Sequence, residues 1–313
     1  MEPRDSPPGA APVGPAGDPP GTALPTWGAA LAWGTQTLTA AGSPSPQLDA
    51  LSLLMRTLSV PHAIVASMPN RPLSHAGTHC YIDWIWRRAA GEPVAYITGH
   101  KAFMGLDLYV DRRVLLVRRT TELLVEAALE IARLRPATDA LLAADIGTGS
   151  GAIALALACL EPRLARVYAT DTSADALAVA RHNGARYHLG ERVVWLEGDL
   201  LEPVPEPMDL VLCNLPTIPE QDVSLAPEVA RYEPPVAFWG GADGLALVRR
   251  LVRQVPAKLR PGGAVAIEIQ PDQGERVSHL LAAALPAAQV RTVQAGGADR
   301  YVIAHLGLPG API

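Results

Sequence analysis

Residues 141–152 read LLAADIGTGSGA: an apolar run, then Asp145 and Ile146, then glycines at Gly147, Gly149 and Gly151. Glycine lets a chain turn sharply and lets a ligand approach its backbone closely, here just before the apolar helical run AIALALACLE. Strand, glycine turn and helix in that order predict a nucleotide-type site at the end of a parallel strand. The string also fits the loose G-x-G-x-x-G/A pattern, with Ala152 in the last place. Taken alone it serves a nicotinamide dinucleotide and S-adenosyl-L-methionine equally well.

Outward from this stretch, strands and helices alternate. LLAADI, RVYAT, VVWL, DLVLC and GAVAIEI read as strands, with helices at AIALALACLE, ADALAVARHNGARY, DGLALVRRLVRQVPAKL and GERVSHLLAAAL. That alternation predicts a parallel sheet covered on both faces. QVRTVQAG and RYVIAHLG are joined by GGADR with no helix between, which predicts an antiparallel pair closing one edge. Upstream, TTELLVEAALEIARL predicts a helix that starts with a threonine cap and Glu122 in its first turn, burying Leu123, Leu124, Ala127 and Ile131. Residues 94–118 change to a β period, and two β-runs flanking GHKAFMG predict a hairpin linker. Residues 27–93 carry helical spacing in TWGAALAWGTQTL, LDALSLLMRTL and YIDWIWRRAA, and predict a small helical domain. Residues 1–26 are Pro, Gly and Ala with little to bury, and are expected to be a disordered tail. From the amino terminus the order of domains is thus tail, helical domain, hairpin, and an α/β domain over 119–308.

Composition narrows the function. The 313 residues carry a net charge of −5, too weak a field to predict direct nucleic-acid binding. Cys80, Cys159 and Cys213 form no CxxC pair and no Cys/His cluster, so neither a metal site nor a disulfide framework is expected. No run is long and apolar enough to span a membrane, and no signal-peptide order opens the chain, so the expectation is a cytoplasmic protein.

Three further strand ends carry chemistry. Asp171 ends the second strand, where a carboxylate can take both ribose hydroxyls or cap the helix that starts near Ser173. Asp199, in EGDLLEP beyond the third strand, can reach an adenine amine or simply occupy a surface turn. After the fourth strand come Asn214, Leu215, Pro216 and Thr217, at the edge where reacting groups sit in an open α/β sheet.

With GEPVAYITG, VLLVRRTTELLVE, YEPPVAFWGGADGL, the Glu268 strand followed by DQGE, and AGGADRYVIA, these residues resemble the HemK/PrmC family of protein-glutamine N5-methyltransferases. The resemblance covers about Trp27 to His305. It implies a Rossmann-like class I methyltransferase sheet with an antiparallel edge, and S-adenosyl-L-methionine as cofactor. It also implies that the helical domain grips the protein substrate, a peptide chain release factor methylated on the glutamine of its GGQ loop. In the family the fourth-strand motif is Asn-Pro-Pro-Tyr. Carried over, Asn214 and the Leu215 carbonyl accept the two N–H bonds of the amide, with Pro216 and Thr217 completing the motif. Asp145, Gly147, Thr148, Gly149, Gly151, Asp171, Asp199 and Asn214 are then expected to bind the cofactor. Two departures stand out: Leu215 and Thr217 replace a proline and a tyrosine, and Leu116 to Glu122 replaces I-P-R-P-(D/E)-T-E. They set competing expectations: a divergent relative that binds cofactor or partner without efficient catalysis, or one with a different methyl acceptor.

Overall fold

The computed structural model describes residues 24–222 and 226–307. It divides into two units between Thr98 and Gly99. The expected tail lies outside the described residues as far as residue 23. Leu24 to Thr26, assigned to that tail by composition, belong instead to the first unit. Leu24 is buried in its core, and Thr26 Oγ1 accepts the Ala29 N–H at 3.2 Å as a helix cap.

The first unit is helical: α1 (Trp27–Ala40), α2 (Pro46–Leu58), α3 (His62–Ser67), α4 (His75–Ala89) and α5 (Val94–Thr98). Leu38, Leu53, Leu54, Tyr81 and Ile85 form its fully buried centre. Tyr81 is in that centre because its hydroxyl donates to the Ala50 carbonyl at 3.1 Å, which satisfies the one polar atom of the ring. The aromatic residues of this unit are therefore largely packing, as small bundles require. Val94–Thr98 corrects the expected first β-run. Apolar alternation over five residues fits a helical turn as well as a strand, and Pro93 starts the helix by accepting from Tyr96 and Ile97.

The second unit opens with the hairpin β1 (His100–Phe103) and β2 (Leu106–Tyr109), narrower than the expected 94–118 span. Its turn is Met104-Gly105, both at positive φ, the geometry whose twist matches paired strands. Then follow α6 (Arg119–Leu134), β3 (Leu141–Ile146), α7 (Ala152–Leu160), β4 (Leu164–Asp171), α8 (Ala174–Arg186), β5 (Val193–Glu197) and β6 (Met208–Cys213). α9 (Pro227–Tyr232), α10 (Ala246–Lys258), β7 (Leu259–Glu268), α11 (Gly274–Ala284), β8 (Ala288–Ala295) and β9 (Ala298–Leu306) complete it. The sheet order is β5-β4-β3-β6-β7-β9-β8, parallel except for β9, antiparallel to both β7 and β8. Alternation along β3 sends Ala143 to the face covered by α6 and α7, and Ala144 and Ile146 to the face covered by α10 and α11. Each fully buried aliphatic side chain in these layers contributes roughly 1.5–3 kcal/mol.

The order reverses beside β3, because the chain adds β4 and β5 on one side before crossing to β6 on the other. A sheet opens a crevice at such a point, outside the carboxyl ends of its strands. Registers bring those ends level: Ile146 pairs with Thr170 and Cys213, Asp171 with Glu197, and Cys213 with Ile267. Asp199, Asp171, Gly147, Asn214 and Glu268 therefore follow or end five adjacent strands in one row.

Candidate active site

A cleft of about 310 Å³ lies over this row. Gly147, Thr148, Gly149, Asp171, Asp199, Asn214, Leu215 and Pro216 line it, together with Arg113, Val117, Pro234 and Arg250. A second cavity of about 260 Å³ adjoins it across Asn214 and Leu215, lined by Arg118, Thr120, Thr217, Phe238, Glu268 and Gln270 among others. Two of the expected cofactor residues stand behind the cleft instead of lining it. Asp145 is fully buried beneath the glycine loop, and Gly151 is packed against the Trp195 ring. Thr217 faces the second cavity alone.

The glycine loop is held from below. Gly147 and Thr148 N–H both donate to the Thr170 carbonyl at 2.9 Å. Asp145 Oδ2 accepts the Thr148 hydroxyl at 2.6 Å and the Ala154 N–H at 3.0 Å, while Oδ1 is buried without a partner among the described residues. Burial pushes the Asp145 carboxyl up to about 7, against the pull of those two hydrogen bonds. Gly147 has φ of +72°, and a Cβ there would sit 3.2 Å from Leu215 Cδ2, so the cofactor loop and the Asn214 loop pack directly together.

Asp171 does something neither sequence reading contained. Its Oδ2 accepts the Gly149 N–H and its Oδ1 the Ser173 N–H, both at 2.9 Å. Ser173 Oγ provides the cap of α8 by accepting from Ala176. Asp171 thus ties the glycine loop to the next strand; it also lines the cleft, and each of its oxygens has further acceptor capacity beyond the one bond it receives. Asp199 forms an ion pair with Arg250 at the far end of the cleft.

Asn214 leaves the end of β6 with its Nδ2 donating to Thr121 Oγ1 at 3.3 Å. Among the described residues neither Asn214 Oδ1 nor the Leu215 carbonyl accepts a hydrogen bond. Losing the first proline of the motif does not free this loop, because neighbours clamp it. Ile218 N–H donates to Phe238 O and Gly240 N–H to Ile218 O, both at 2.8 Å. Gln273 Nε2 donates to Thr217 O at 2.8 Å, and Gln270 Nε2 to Thr217 Oγ1 at 3.1 Å. Gly244 approaches so closely that a Cβ would lie 2.2 Å from Thr217 O.

The Thr120-Thr121 pair corrects the expected helix start. Arg118 is the flanking residue of α6 and makes no side-chain cap, and both threonines lie within the helix. Their hydroxyls donate to Glu268 Oε1 and Oε2, each at 2.7 Å, because a half-buried carboxylate beside a helix N-terminus is the stronger acceptor. Glu233, nearly fully buried, accepts Leu116 N–H at 3.0 Å and pairs with Arg118 at 2.5 Å. The residues to which sequence reasoning gave no role, Glu233, Glu268, Gln270, Gln273 and Asn183 (whose Nδ2 donates to the Ser150 carbonyl of the glycine loop at 2.9 Å), share one property. Each acts on a segment distant in the chain, and only the family segments that contain some of them drew attention to them.

The sheet order, the antiparallel edge and the switch-point cleft define a class I methyltransferase. The chain belongs to the release factor glutamine methyltransferase family. Family models match in two places: the PrmC N-terminal domain over residues 29–99 and the methyltransferase small domain over residues 119–230. The release factor glutamine methyltransferase of Moorella thermoacetica is 43% identical over 252 residues, covering 80% of this chain and 88% of that one. That of Xylella fastidiosa is 42% identical over 245 residues, with 78% and 87% covered. That of Deinococcus radiodurans is 36% identical over 275 residues, with 88% and 96% covered.

The cofactor of such a methyltransferase is S-adenosyl-L-methionine, and the residues present fit it. Gly149, at φ +54°, faces open space where a Cβ would project. The Asp171 carboxylate at the rim of the loop suits a cationic ligand with ribose hydroxyls, while Asp145 beneath braces the loop through Thr148 and Ala154. No helix among the described residues is long and apolar enough to cross a membrane.

Proposed function

We propose that this protein methylates the side-chain nitrogen of a protein glutamine, the GGQ glutamine of a peptide chain release factor, in the cytoplasm. The observation that carries the reading is the pair of unclaimed acceptors, Asn214 Oδ1 and Leu215 O, between the cofactor cleft and the second cavity. An amide nitrogen is a weak nucleophile because its lone pair is delocalised into the carbonyl. Two acceptors that hold both N–H bonds fix that nitrogen in one place and orientation, so positioning and local electrostatics supply the rate. When bound, S-adenosyl-L-methionine supplies an electrophilic methyl group on a sulfonium. The glycine loop, Asp171 and Asp199 would hold it. Leu215 serves as well as proline here, because the function needed is a backbone carbonyl and the clamp on residues 217–218 restrains the loop. That clamp, and relatives at 36–43% identity that carry the release-factor name, favour an active enzyme over a binding-only paralogue.

The test is transfer of labelled methyl to a purified release factor. Asn214→Ala should lower kcat by about 10²- to 10³-fold while calorimetry shows cofactor affinity within a few-fold of wild type. Transfer at the wild-type rate in this variant would remove the basis of the proposal.

A further inference from the structure

Asn214 can do its work in only one of two orientations. The two ends of a side-chain amide are nearly the same shape, yet only the oxygen can accept an N–H bond. With the amide turned over, its NH2 would face the substrate's NH2 and repel it. We infer that Thr121, backed by Glu268, is a positioning pair that fixes the Asn214 amide with its oxygen toward the acceptor.

The argument is one of donors and acceptors. Glu268 ends β7, next to β6 in the sheet, and its two oxygens receive the hydroxyls of Thr120 and Thr121 at 2.7 Å. An ionised carboxylate accepts and never donates, so it consumes the single hydrogen of the Thr121 hydroxyl. Thr121 Oγ1 then has only lone pairs left for its third neighbour. That neighbour is Asn214 Nδ2 at 3.3 Å, the donor end of the amide. Thr121 is 1% exposed, so water does not compete for the position. The carboxylate thus dictates the hydroxyl's direction, and the hydroxyl dictates the amide's. The inference rests on the reading of Asn214 as the acceptor-holding residue.

A purely structural tie between α6 and β7 would show the same distances, so the test needs readouts that such a tie would not move. Thr121→Val keeps the shape and removes the hydroxyl. It should lower kcat about 10- to 100-fold with cofactor affinity unchanged, and Thr121→Ser should restore kcat to within about 3-fold. In the wild-type protein, NMR with labelled asparagine should show the Asn214 NH2 protons, assigned by their loss in Asn214→Ala, in contact with the Thr121 methyl group. This second measurement holds even if Thr121→Val folds poorly. NH2 protons without that contact, or Thr121→Val turning over at the wild-type rate while Asn214→Ala is impaired, would overturn the pair's role. Normal turnover in Asn214→Ala would instead overturn the underlying reading.

Discussion

Asp145 shows how a motif residue can be recognised and still be misplaced. It sits in the strand-to-glycine turn, where a carboxylate suggests a ligand contact, yet its side chain points to the first turn of α7. Strand alternation explains this: Ala144 and Ile146 face α10 and α11, so Asp145 faces the opposite layer and the base of its own loop. The consequence is a pH dependence of stability. Burial raises this carboxyl from 3.8 to about 7, so the folded state holds a proton that the unfolded state has lost between those values. Stability therefore falls as pH rises through that window and levels off above it, with a ceiling of ~4 kcal/mol for the full window. Urea denaturation without cofactor at pH 5 and pH 8 should show the wild type losing more stability than Asp145→Asn across the interval. Equal losses in the two proteins would mean that the carboxyl titrates normally.

At the scale of elements, the alternation of strands and helices, the antiparallel edge and the glycine turn were all legible, because each is written in local periodicity. What local pattern could not give is the way the β1–β2 hairpin is secured. Asn183 on α8 and Tyr187, the residue that caps its C-terminus, lie one turn apart, and both reach β2. Asn183, fully buried, donates to Tyr109 O and Ser150 O at 2.9 Å and accepts from Tyr109 N at 2.7 Å. The Tyr187 hydroxyl donates to Asp107 O at 3.0 Å and accepts from Asp107 N at 2.7 Å. In the sequence Asn183 is a polar residue in a helix and Val94–Thr98 is a β-like run; only the returning chain distinguishes a clip from a surface residue. The two clips differ in reach, since only Asn183 also holds the glycine loop. Asn183→Ala should cost about 2–3 kcal/mol, from the backbone groups left unpaired, and should weaken cofactor binding. Tyr187→Phe should cost about 1 kcal/mol and leave cofactor binding unchanged. Thermal denaturation with calorimetric titration separates them; equal effects on cofactor affinity would deny Asn183 its link to the loop.

The whole molecule separates two tasks along its chain. Every residue lining the cofactor cleft, from Arg113 to Arg250, lies in the second unit, as do both acceptors and the Thr121–Glu268 pair. The sequence showed that division as a change of period, from helical spacing to strand–helix alternation, but the β-like reading of Val94–Thr98 put the boundary at 93/94 instead of 98/99. If the first unit serves only to grip the protein substrate, removing it should spare one function and impair another. A chain of residues 99–313 should bind S-adenosyl-L-methionine within a few-fold of the full protein. Its transfer to an intact release factor should fall at least about 10-fold, the scale of one lost binding contribution of 1.4 kcal/mol, chiefly through KM. A short Gly-Gly-Gln peptide offers the first unit little to hold, so the truncated and full chains should methylate it at similar rates. A truncated chain that is folded, binds cofactor and fails with the peptide as well would place part of the chemistry in the helical unit, and the grip-only role would be wrong.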